Sequence, residues 1–145
     1  MEAPIRNNLV IELHIPDFKV AKEFYPKIGF NLISEDPVGE HLGYLVFEHK
    51  DPAGNTLLNF YGGDSRVSGH SFFKNFPAET PKGYGVEITI PVSDVDAYYK
   101  HVSSVVPDSI VQELTTKRWG KKDFRIKDPF GFYLRFTELV DWGQQ

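Results

Sequence analysis

Cysteine is absent from the 145 residues, methionine occurs once and tryptophan twice. Without a thiol there is no disulfide framework, no thiolate nucleophile and no thiolate metal site, and the chain suits a reducing compartment such as the cytoplasm. No apolar run approaches the ~18 residues of a membrane helix, and the start, Met1 to Asn8, has no basic stretch followed by an apolar one. A soluble, non-exported protein is expected. Cations are also in deficit, with 16 Lys and Arg against 20 Asp and Glu, so the net charge of −4 disfavours nucleic acid and makes a neutral or cationic partner easier to accommodate.

What the chain does contain is apolar and aromatic. Hydrophobic residues make up 41%, with 12 Phe and 7 Tyr, which suffices for one compact core and argues against disorder.

An internal repeat organises the sequence. Asp51-Pro52-Ala53-Gly54 returns as Asp128-Pro129-Phe130-Gly131, and Asp17 returns as Asp94, both pairs 77 positions apart. Leu9, Ile11, Leu13 and Ile15 alternate with Val10, Glu12 and His14 as in a half-buried strand, ended by Pro16. Asp17 then caps a helix of about two turns that Pro26 and Gly29 stop. Strands follow near 30–35, 43–49 and 56–61. The second copy has a strand over 86–92, a helix capped by Ser93 or Asp94 and running to about Val105, and strands near 110–115, 122–127 and 132–138. The expected fold is therefore α+β: two βαβββ modules over 1–62 and 83–139, a linker over 63–82 and a tail over 140–145. Curved mixed sheets would surround a concave cup with the helices outside. The linker carries Phe72, Phe73 and Phe76 and is expected to pack partly on the body, where it would close over a ligand.

With Asp17, Phe24-Tyr25 and Gly29-Phe30 in one copy and Trp119-Gly120 and Asp128-Pro129-Phe130-Gly131 in the other, the duplication resembles the vicinal oxygen chelate superfamily. That group includes glyoxalase I, extradiol dioxygenases and the bleomycin-resistance proteins. The resemblance spans about residues 8 to 139, and the run from Arg118 to Pro129 is most similar to the metal-free bleomycin-resistance branch. It implies a homodimer and a groove-lining role for Trp119.

The metalloenzymes of this superfamily take one His or Glu ligand from the first and the last strand of each copy. The resemblance places those positions at Val10, at Leu58 or Asn59, at Glu87 and at Arg135. Among these only Glu87 can ligate a metal, because a guanidinium stays protonated. A site rebuilt from Glu12, His14 and Glu87 is disfavoured, because at ~3.3 Å per residue His14 stands ~13 Å beyond Val10. No metal or other cofactor is expected, and Glu87 is expected to pair with Arg135 across the cup.

His41, His49, His70 and His101 read as solvated, and the glycines near 62 and 83 do not form phosphate loops. The basic stretch Lys117-Arg118 and Lys121-Lys122 reads as a solvated hairpin. The leading expectation is stoichiometric capture of an aromatic, cationic molecule such as a bleomycin-like antibiotic. Phe47, Tyr61, Trp119 and Tyr133 would stack on it, and Glu12, Asn59, Glu87 and Arg135 would orient it. Two alternatives stand beside this: a glyoxalase- or dioxygenase-like enzyme with a displaced metal or with Glu87 as a general base, and a regulatory domain whose cup is filled by its own side chains. A cup within one chain and a cup shared between two chains both satisfy the pattern.

Overall fold

The computed structural model describes residues 9–37, 43–62 and 66–140. His41 and Trp142 lie outside them. Strand β1 (Glu12–Ile15) leads into helix α1 (Phe18–Phe24), capped by the Asp17 carboxylate, which accepts hydrogen bonds from the backbone of Lys19 and Val20. Pro26 does not end the path abruptly. It sits at the start of a 3-10 turn (Tyr25–Ile28) that Gly29 closes at φ 89°, a left-handed conformation that favours glycine. Strands β2 (Phe30–Pro37), β3 (Gly43–His49) and β4 (Thr56–Gly62) complete the first sheet in the order β1-β4-β3-β2.

After a one-turn helix α2 (Arg66–Gly69) and a 3-10 turn (Phe73–Asn75) in the linker, the pattern repeats. Strand β5 (Glu87–Pro91) is followed by helix α3 (Val95–Val105), capped by Asp94, and by β6 (Ile110–Thr116), β7 (Lys122–Lys127) and β8 (Tyr133–Thr137). The second sheet runs β5-β8-β7-β6, with the same parallel first pair and antiparallel remainder as the first. The fold is α+β, built of two βαβββ modules. No helix among the described residues is long and apolar enough to cross a membrane.

Alternation decides what faces inward. Leu13, Ile15, Leu45, Phe47, Leu58 and Phe60 of the first sheet, and Ile90, Phe124, Ile126, Leu134 and Phe136 of the second, belong to one buried core with Tyr25, Ile28 and Val102 from the helical segments. The modules join through these helix-bearing sides. Tyr98 donates a hydrogen bond to the Ile28 carbonyl at 2.7 Å, His49 and Tyr98 rings lie 5.1 Å apart, and Asp51 accepts from both the backbone N–H and the hydroxyl of Ser93 at 3.0 Å. His49 is thus buried, contrary to its expected solvation, because it ends a strand whose alternate residues point to the core.

Leu9, Val10 and Ile11 continue the alternation in sequence, yet the pairing of β1 with β4 starts only at Glu12, and all three are exposed.

Candidate functional site

The faces turned away from the helices carry the chemistry. On the first sheet, register pairs Glu12 with Asn59 and His14 with Tyr61, and Val46 stands opposite Asn59 on the third strand. The choice between Leu58 and Asn59 is settled by that register: Leu58 is in the core, and Asn59 occupies the position that Arg135 holds in the second sheet, where it is paired with Thr89. One extra residue in the turn after Gly54 accounts for the offset between the copies. Phe47 is not on this face. It is fully buried against Tyr25 and Phe60, because β3 places its odd-numbered residues on the helix side.

The linker packs over β1. Phe73 and His70 stack at 4.4 Å, and each meets the His14 ring, at 5.0 and 5.1 Å. Burial first, and His70 second, hold His14 below the ordinary value of 6.5, while Glu12 opposes them. Its Nδ1 is buried without a hydrogen-bond partner. Beside this contact a groove of about 840 Å³ opens, floored by Glu12 and His14 and walled by Phe72, Phe76, Tyr84 and Phe132. That volume lies in the range of small-molecule sites. Glu12 lines this groove and makes no hydrogen bond or ion pair with another described residue. The space also speaks against a cup filled by its own side chains, since Phe72 is exposed rather than turned inward.

On the second sheet the open face is ionic. Arg125 and Arg135 stand directly opposite each other on β7 and β8, a like-charge pair that two carboxylates offset. Asp123 is fully buried. It accepts a hydrogen bond from Arg135 Nε at 3.0 Å, with Lys117 at 3.7 Å and Arg125 at 3.8 Å. Glu87, partly exposed, lies 3.7 Å from Arg125 and 3.9 Å from Arg135. Arg125 also donates to the Tyr133 hydroxyl at 3.2 Å. The Arg135 guanidinium lies over the Trp119 ring, 5.5 Å from its centre, and that ring remains 52% exposed.

Two expectations change here. Glu87 does pair with Arg135, at 3.9 Å, but from the adjacent strand of the same sheet rather than across a cup, and the closer partner of Arg135 is Asp123. Asp123, Arg125 and Lys117 were missed as site residues. The signal for the first two was the alternation of Lys122-Asp123-Phe124-Arg125-Ile126-Lys127, which sends Phe124 and Ile126 to the core and so puts Asp123 and Arg125 beside Arg135. The stretch 117–122 is not simply solvated either, since Lys122 pairs with Asp96 and Lys117 with Asp123.

Glu12, Asn59 and Tyr61 thus form one group, and Glu87, Trp119, Tyr133 and Arg135 another. Among the described residues no hydrogen bond, ion pair or ring contact joins the groups. The donor set does not fit a divalent metal: Val10 offers carbon, Arg135 a cation, Asn59 a weak neutral oxygen, and Glu87 already faces two guanidinium groups. No group of three or more His, Asp or Glu among the described residues is placed to hold a metal ion.

Comparison with known proteins gives a family match over residues 9–136, to the model described as the glyoxalase/bleomycin resistance protein/dioxygenase superfamily. No curated protein matches by sequence. Among solved structures, a hypothetical protein from S. aureus superposes with a TM-score of 0.68 at 18% identity, covering 94% of this chain and 96% of its own. A bleomycin resistance determinant encoded on the transposon Tn5 gives 0.63 at 19% identity, covering 92% and 98%. A bleomycin-binding protein complexed with bleomycin gives 0.60 at 18% identity, covering 93% and 100%. At these identities the likeness concerns the fold.

Proposed function

The chain belongs to the glyoxalase/bleomycin resistance protein/dioxygenase superfamily, and we propose that within it this protein captures a small, partly aromatic molecule without a metal, in a cup shared between two copies of the chain. The observation that carries this reading is the disposition of the two open faces. Each exposes polar and aromatic groups where a closed domain would place apolar ones, with Tyr61 and Trp119 both substantially exposed, while the helix-bearing sides of the modules are used up in one core. A single chain therefore offers two half-sites. A two-fold homodimer that sets the first sheet of one copy against the second sheet of the other closes two equivalent cups.

In such a cup Tyr61, Trp119 and Tyr133 supply flat surfaces, each aromatic contact worth about 0.5–1.5 kcal/mol beyond area burial. Asn59 and Arg135 orient polar groups of the ligand, and Glu12, which has no ion-pair partner among the described residues, accepts a cationic one. Glu87, held between Arg125 and Arg135, serves as part of the wall. An isomerase using Glu87 as a base requires it unpaired in a pocket, and Glu87 does not line the groove. The action is stoichiometric sequestration, a reading supported by the shared fold of a bleomycin-binding protein complexed with bleomycin, and a cysteine-free chain suits the cytoplasm.

Sedimentation equilibrium combined with tryptophan-fluorescence titration tests the reading, using bleomycin and a panel of aromatic cations and anions, with Trp119→Phe separating Trp119 from Trp142. A dimer that saturates at two ligands, with quenching lost in Trp119→Phe, is the expected result. A monomer at micromolar concentration that no compound quenches saturably would overturn it.

A further inference from the structure

We propose that Arg135 and Trp119 form a recognition site for a planar aromatic carboxylate on the open face of the second sheet. The inference rests on the capture reading and names the chemistry of one end of the captured molecule.

Arg135 is the best-placed donor. Its Nε is taken by Asp123, which fixes the plane and direction of the guanidinium. Its two Nη nitrogens make no hydrogen bond to another described residue, and the side chain as a whole keeps about a fifth of its surface exposed. Two parallel N–H donors on a fixed, planar group match the two oxygens of a carboxylate. A guanidinium held by a buried carboxylate has already lost its rotamer freedom, so less entropy is lost when it binds an anion.

Charge on this face agrees. Lys117, Arg125, Lys127 and Arg135 stand against Asp123 and Glu87, a local excess of two positive charges on a chain whose net charge is −4. Asp123 is fully buried and its oxygens are occupied, so it offers nothing to a ligand. Glu87 is the carboxylate a cation would have to reach, and two arginines lie within 4 Å of it. Trp119 makes the site aromatic as well as anionic. Arg135 lies over its ring and about half of Trp119 remains exposed, which leaves indole surface on which a flat ring carrying a carboxylate could stack while the acid meets the fork. On the first sheet, by contrast, Glu12 has no ion-pair partner among the described residues, so the two half-sites differ in charge preference.

The test uses two probes of the same shape, 2-naphthoate and 2-naphthylmethylammonium. The readout is the indole N–H resonance of Trp119, identified by its loss in Trp119→Phe. Naphthoate should shift it saturably and bind at least tenfold more tightly than the ammonium. Arg135→Gln should weaken naphthoate at least tenfold, and Arg135→Lys, which keeps the charge but not the fork, several-fold. Glu87→Gln, which removes the nearby negative charge from a partly exposed position, should tighten it several-fold. If Arg135→Gln fails to fold because Asp123 is left unpaired, Arg135→Lys and Glu87→Gln carry the test. Tighter binding of the ammonium, or naphthoate affinity unchanged in both of these variants, would overturn the carboxylate site and leave capture standing. Silence of Trp119 towards both probes would overturn the site as well, and silence towards the whole aromatic panel would remove the capture reading with it.

Discussion

Tyr25 donates its phenolic hydrogen to the Asp128 carboxylate across 2.6 Å, joining residues 103 positions apart in the chain. Both side chains are buried, one following the first helix and the other in the last turn. The same carboxylate accepts from the backbone N–H groups of Phe130 and Phe132, so it shapes its own turn while gripping the other module.

Removing that phenol gives the first prediction. Burial pushes the Asp128 carboxyl above its ordinary 3.8, against the pull of Tyr25 and the backbone donors, and also drives the Tyr25 hydroxyl upward. The folded chain holds the Asp128 proton more tightly than the unfolded chain. Its contribution is therefore full below pH 3.8 and is lost as pH rises through the raised value. Tyr25→Phe deletes a donor to the charged form. It should cost about 1–3 kcal/mol at pH 7 and less at pH 3, measured by urea denaturation. Equal losses at both pH values would contradict a bond to the carboxylate.

Two histidines set the acid limit. Burial holds His49 below 6.5 despite Asp51, and burial with His70 holds His14 below it despite Glu12. Both are more readily protonated when unfolded, so the stability they give is present above pH 6.5 and disappears as pH falls through their lowered values. Stability should decline as pH falls below 6.5, less steeply in His49→Gln. Because His14 faces the linker, cleavage within residues 66–84 by a nonspecific protease should quicken at pH 5.5, and His14→Gln should blunt that dependence. A pH-independent cleavage rate would refute it.

Phe47 and Tyr61 should separate stability from binding. Phe47→Ala opens a cavity in the core and should cost about 3–5 kcal/mol, while ligand affinity of the folded fraction stays unchanged. Tyr61→Ala, on the open face, should change stability by less than about 1 kcal/mol and weaken an aromatic ligand. The reverse pattern would return Phe47 to the cup wall.

Divalent metals should have little effect. Since the four donor positions hold Val10, Asn59, Glu87 and Arg135, millimolar Mn²⁺, Ni²⁺ or Zn²⁺ should not raise the melting temperature measurably. A stabilisation that disappears in Glu87→Gln would show that a metal site exists after all.

The sequence made the architecture legible because a strand with one buried face has a period of two and a repeat enforces it twice. Gly43–His49 and Lys122–Lys127 are strands over the very spans that alternation suggested. It was less informative about which side of a strand meets the ligand: Phe47 and Tyr61 are both aromatic residues in alternating runs, and only pairing register separates them. The ionic face was hidden for a different reason. Asp123 looks like one more charge in a basic hairpin until its neighbours Phe124 and Ile126 are seen to fill the core. The extent of β1 was overread, since Leu9 to Ile11 keep the alternation but have no ladder partner.

The aspartates of the two repeated turns are lodged in each other's module, Asp51 at Ser93 and Asp128 at Tyr25. A half-length chain with one such turn would find a receiver for its aspartate only in a second molecule of itself. Fusing two of them needs a connector rather than a new interface, and the linker is the segment with no counterpart elsewhere in the chain. The two ends are seated differently: one aspartate meets a hydroxyl and amide at a helix start, the other a buried phenol. In the proposed dimer the same asymmetry would set an acidic wall and a basic one against a single ligand.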